Sequence, residues 1–197
     1  MNPSDPPFRS PELMSAGDTT LLVVDVQDKL IGLIPERQRI VWNIARLIRG
    51  AKVLGLPVLA TEQYPKGLGA TTAELAALLD APVPDKIGFS CLACKAVAQR
   101  LAADDRPKVL LAGIEAHVCI QQTALDLLAS GHSVYVAVDA VGSRYAIDQK
   151  VALDRMLASG ATLTTVEAAL FEWCQAAGTP EFKQISALVR EAAPSGD

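Results

Sequence analysis

Cysteine, histidine and surplus positive charge are all scarce in this chain, and each scarcity narrows what the protein does. Lysine and arginine number 18 against 22 aspartates and glutamates, a formal net charge of −4, so nothing marks an electrostatic footprint for nucleic acid or an anionic membrane; neither partner is expected. The cysteines, at 91, 94, 119 and 174, are too few and too uneven for the disulfide framework of a small secreted protein, which points to a reducing cytoplasm. With two histidines in the chain, Cys91-x-x-Cys94 finds no second ligand pair at zinc spacing, and no metal is expected. No apolar run approaches the roughly 18 to 20 residues needed to span a bilayer. No repeat, low-complexity tract or internal linker appears either.

What remains is a chain with the length and apolar content of one domain. Its opening, MNPSDPPFRSPELMSAG, carries Pro3, Pro6 and Pro7 and no apolar h-region, so it reads as neither signal peptide nor anchor. Residues 1–18 are expected to form a flexible arm, 19–192 a single domain and 193–197 a tail. From Thr19 onward short β-branched runs alternate with longer amphipathic segments. TLLVVDVQ, LPVLATEQ, DKIGFS, PKVLLAGI, SVYVAVDAVG and ATLTTVE read as strands. Helices are expected between them, with a closing helix or two through TPEFKQISALVREAA. This alternation predicts an α/β fold: a three-layer, doubly wound domain with a parallel sheet of about six strands.

In such sheets ligands bind beyond the carboxyl ends of the strands. Asp25 ends the run LLVV, Lys86 opens the short strand DKIGFS, and Cys119 follows PKVLLAGI where a helix begins. Alone, each has an ordinary structural explanation: a turn-capping carboxylate, a solvated lysine, a buried thiol. Together they are the parts of an activated nucleophile: a thiol, a carboxylate to take its proton and a cation to hold the carboxylate. A helix N-terminus at Cys119 is expected to lower the thiol pKa. His117 lies two residues away with no acidic orienter nearby in sequence, so it stands as a pocket residue or a loop histidine. Gln27 is a candidate to hold the carboxylate or a substrate amide, and Tyr64 and Phe89 suit the apolar wall of a small pocket. The Cys91/Cys94 spacing leaves a redox role open beside a plain buried helix face.

The segments LLVVDVQ, LATEQYPKGLG, DKIGFSC and LLAGIEAHVCIQQTALDLLASGHSVYVAVDAVGSR, in that order, resemble the isochorismatase-like cysteine hydrolase superfamily. TEQYPKGLG is most similar to the subgroup called isochorismatase domain-containing proteins. The resemblance implies Asp25, Lys86 and Cys119 as a catalytic triad and a cis peptide between Ile114 and Glu115. It also implies an oxyanion held by the N–H groups of Glu115 and Cys119. A small amide or related acyl substrate, a Cys-thioester intermediate and no cofactor go with it. Oligomerisation with further copies is likewise implied, in keeping with Trp173 and Phe171 as apolar residues that one small core leaves over. Where relatives that hydrolyse nicotinamide carry metal-binding Asp and His residues, this chain has Thr61, Glu62, Gln63 and Tyr64. Vinyl-ether hydrolysis of the isochorismatase type and a non-catalytic oligomeric binding module with the same fold are the alternatives.

Overall fold

Six strands form one parallel sheet in the order β3-β2-β1-β4-β5-β6. The computed structural model describes residues 9–194. In chain order its elements are β1 (Thr19–Val24), the single turn α1 (Asp28–Ile31), α2 (Arg37–Leu54), β2 (Val58–Gln63), and the single turns α3 (Pro65–Leu68) and α4 (Ala73–Ala76). Then come β3 (Asp85–Lys86), a 3-10 turn (Cys91–Ala93), α5 (Lys95–Ala103), β4 (Lys108–Ile114), a π-helical turn (Ala116–Ile120) and α6 (Gln121–Ala129). The chain closes with β5 (Ser133–Gly142), α7 (Ala146–Ala158), β6 (Thr162–Thr164), α8 (Val166–Cys174) and α9 (Pro180–Val189). The doubly wound α/β expectation holds.

Because side chains alternate across a strand, the buried runs of β1 and β4 feed two cores at once. Leu21, Val23, Leu110 and Ala112 pack with Ile44, Ile48 and Leu47 of α2, Leu170 of α8 and Ile185 of α9. Leu22, Val24, Val109 and Leu111 pack on the other face with Val97 of α5, Leu127 of α6 and Met156 of α7. Strand order reverses between β1 and β4, which makes their carboxyl ends the topological switch point. Gly113 lets the two strands close there. Its φ is +126°, and a Cβ would sit 2.1 Å from the Val24 carbonyl oxygen.

Three expectations change. The arm ascribed to 1–18 is anchored to the domain at points from Arg9 onward: Met14 is fully buried, Arg9 donates to the carbonyls of Met14 and Glu172, and Tyr135 donates to the Glu12 carbonyl. Residues 1–8, and 195–197 of the expected tail, lie outside the described residues. The stretch ATLTTVE is strand only over Thr162–Thr164; Thr165 then accepts the Ala168 N–H and caps α8. Of the two apolar residues expected to be left over by one core, Trp173 is 1% exposed within its own chain, whereas Phe171 is 39% exposed.

Candidate active site

At the end of β1 the chain turns sharply at Asp25, whose φ of +53° is left-handed, a conformation that aspartate tolerates better than most residues. The turn buries its carboxylate completely. Oδ1 accepts from Thr61 Oγ1 at 2.8 Å, and Oδ2 accepts from Lys86 Nζ at 2.7 Å. Lys86 closes the short β3, and its side chain is also fully buried. The ammonium has further acceptors in Gln63 Oε1 and the Phe89 carbonyl, both at 2.8 Å, and the Gly88 carbonyl at 3.3 Å. A buried cation is tolerable only when its protons are matched in this way.

Cys119 reaches the same carboxylate from the far side of the switch point. After β4 the Ile114–Glu115 peptide is cis, as expected, and the chain enters the π turn with Val118 and Ile120 N–H both donating to the Glu115 carbonyl. The thiol is buried, and its electrostatics are governed by burial and by the charges of Asp25 and Lys86. Its pKa is pushed well up, first by burial and then by the Asp25 carboxylate, with Lys86 opposing. This corrects the expectation of a lowered value. Cys119 sits within the π turn rather than ahead of a helix, and desolvation outweighs any dipole. Burial thus favours the neutral form of the thiol, near the buried Asp25–Lys86 ion pair.

The other expected residues divide. Gln27 is fully buried and spends its amide on the main chain: its Nε2 donates to the Gln63 and Gly69 carbonyls, and its Oε1 accepts the Gln63 N–H. It holds Gln63, which in turn holds Lys86. Tyr64 and Phe89 are 50% and 51% exposed within the chain rather than buried; Phe89 also serves Lys86 through its carbonyl. Glu115 accepts from the main-chain N–H and Nε of Arg144. His117 has the orienter that its sequence neighbourhood lacked: Nδ1 lies 3.0 Å from Ser143 Oγ, and Nε2 lies 4.0 Å from Asp148 of α7.

The sequence reading of the site does not include Thr61, Gln63 or Arg144 as partners. A signal for two of them existed, since Thr61 and Gln63 share one face of β2 by period two while Glu62 points away to Thr71. An apolar cavity of about 330 Å³, lined by Leu56, Val58, Leu79, Val83 and Val97, lies toward the opposite end of β2 and touches none of the three triad candidates.

The isochorismatase domain matches residues 19–168. The chain belongs to the isochorismatase-like cysteine hydrolase superfamily. Among its superfamily relatives, isochorismatase domain-containing protein 2 of Macaca fascicularis is 45% identical over 181 residues, covering 90% of this chain and 86% of the relative. The secreted isochorismatase effector Isc1 of Phytophthora sojae is 42% identical over 179 residues, covering 88% of this chain and 85% of Isc1. The solved structure of MAR1 ribonuclease from Caenorhabditis elegans superposes with a TM-score of 0.86 at 38% identity, covering 93% of this chain and 95% of that one.

These superfamily members overturn two expectations drawn from composition. Cytoplasmic location does not stand, because a relative 42% identical is by name a secreted effector. The four unpaired cysteines argue only against a disulfide scaffold, and a core of this size needs none in any compartment. The exclusion of nucleic acid fails too, because a structural relative is by name a ribonuclease. A net charge of −4 is a whole-chain sum and says nothing of the local surface.

Proposed function

We propose that the protein cleaves a small amide or related acyl compound through a thioester on Cys119. The observation that carries this reading is one fully buried carboxylate, Asp25, bound to the ammonium of Lys86, with both charges acting on the buried Cys119 thiol. Because burial keeps the thiol protonated, the proton passes to Asp25 as sulfur attacks the carbonyl carbon, without a standing thiolate. The main-chain N–H groups of Glu115 and Cys119 hold the oxyanion. Asp25 then gives its proton to the leaving amine and the thioester forms. Water attacks next, losing a proton to Asp25, which returns it to sulfur as the acid departs. Lys86 holds Asp25 in place throughout and offsets its charge.

A panel of small amides, followed by ammonia or amine release and intact mass, tests this. A hydrolysed amide should leave an acyl adduct on Cys119, and Cys119→Ala should abolish turnover. Asp25→Asn should cost several powers of ten, in line with the roughly 10⁴-fold loss on disabling the acid of a serine triad. Undiminished hydrolysis by Cys119→Ala refutes the nucleophile.

A second reading is cleavage of RNA, favoured by the likeness to the C. elegans ribonuclease and by exposed Tyr64, Phe89 and Tyr145 at the carboxyl ends of β2, β3 and β5, where bases stack on aromatic rings. Cleavage of a labelled oligoribonucleotide that persists in Cys119→Ala would replace the acyl reading with this one.

A further inference from the structure

The Cys91-x-x-Cys94 motif plays no part in the mechanism above, yet Cys91 is anchored among the segments that carry it. Its Sγ lies 3.4 Å from Thr61 Oγ1, and its N–H donates to Thr123 Oγ1 at 2.9 Å. All three side chains are buried. The proton count fixes the direction of the first contact. Thr61 has one hydroxyl proton and gives it to Asp25 Oδ1, since an ionised carboxylate has none to offer. The Thr61 oxygen is therefore the acceptor, and the Cys91 S–H is the donor. At the same residue the main chain ties the loop that follows Lys86 to α6, the helix that follows Cys119.

We propose that Cys91 is a positioning residue of the catalytic site: its thiol proton, donated to Thr61, keeps the Thr61 hydroxyl aimed at Asp25 Oδ1 and thereby fixes the carboxylate that serves Cys119. The inference rests on the reading of Cys119 as nucleophile and Asp25 as base. It gives the first cysteine of the motif a role that is neither redox nor metal binding. Cys94, which makes no contact with Thr61 or Asp25 among the described hydrogen bonds, is left as packing in the same buried cluster.

The test uses iodoacetamide as probe, with labelling of Cys119 followed by peptide mass spectrometry between about pH 5 and pH 9. Alkylation forms the S–C bond, expels iodide and passes the thiol proton to Asp25. Thr61→Val removes a donor to a charged group and should slow labelling about 10- to 100-fold; Thr61→Ser should restore it. Cys91→Val keeps bulk but loses the donor, and should slow labelling about 3- to 10-fold, one link further out. The acidic limb of its rate profile should move to higher pH, because a less well bonded carboxylate holds its proton more tightly. Cys91→Ser keeps a donor and should follow wild type in rate and profile.

A purely packing role for Cys91 would lower melting temperature without moving the pH profile, and that result overturns the inference. So does labelling of Thr61→Val at the wild-type rate, in a variant that leaves the thiol in place. Labelling of Asp25→Asn at the wild-type rate sinks instead the underlying reading of nucleophile and base. Slow labelling of Asp25→Asn with Cys91→Val superimposed on wild type removes the role of Cys91 alone.

Discussion

Replacing Lys86 by methionine removes a buried cation while keeping the length of its apolar stem. Asp25 Oδ2 then loses its charged partner, and Gln63 Oε1 and the Phe89 carbonyl each lose a donor that stood at 2.8 Å. Removing one member of a buried pair costs about 3–5 kcal/mol, and each orphaned neutral acceptor adds about 1–3 kcal/mol. The sum, about 5 kcal/mol or more, rivals the whole stability of a typical domain, about 5–15 kcal/mol. Asp25→Asn should be milder, about 3 kcal/mol at the low end of that range, because the ammonium keeps its three neutral acceptors. Removing both charges together should cost about 2–3 kcal/mol less than the two single losses added. Urea unfolding at neutral pH followed by circular dichroism gives the four free energies of the cycle. A coupling below about 0.5 kcal/mol would refute the account, because the pair would then be contributing no more than two independent residues.

Alkali should weaken the fold through Cys91, whose thiol is raised from 9.0 to about 11 by burial first and by the Asp25 carboxylate second. The folded chain keeps a proton that the unfolded chain releases, so stability is full below about pH 9 and falls as pH rises toward 11, by about 1.4 kcal/mol per unit and about 3 kcal/mol in all. Urea midpoints across that range should decline less steeply in Cys91→Val; an unchanged slope contradicts the assignment. Gly113→Ala should be severe, since its Cβ would meet the Val24 carbonyl at 2.1 Å, whereas Gly55→Ala, with nothing within 4 Å, should cost only the left-handed penalty of about 1–2 kcal/mol. Melting curves that rank the two equally would show that β1 can yield. Hydrolysis of an identified amide should survive exhaustive chelation, and loss restored by added zinc or manganese would point to a metal-dependent reaction.

The layered fold was legible because each strand announces itself as a short β-branched run and each long helix as an amphipathic one. The ends of β1, β3 and β4 exposed Asp25, Lys86 and Cys119 for the same reason. What stayed hidden were relations across the chain. Nothing near His117 in sequence foretells Asp148, and nothing in the spacing of Gln27 says that its amide is spent on the backbone of Gln63 and Gly69. The direction of the thiol shift runs opposite to the sequence expectation because a helix start shows in the pattern while the burial of its first turn does not. The start of α8 was lost where a β-branched run crosses straight into a helix, and only the Thr165 cap marks the border.

The seclusion of Lys86 also bears on how the protein can be handled. Amine-reactive reagents meet the side chains of Lys150 and Lys52, which are 70% and 37% exposed, whereas that of Lys86 is 0% exposed and its ammonium is held against four oxygens. A fluorophore or a resin coupled through lysine therefore attaches at the periphery and leaves the cation beside Asp25 unmodified.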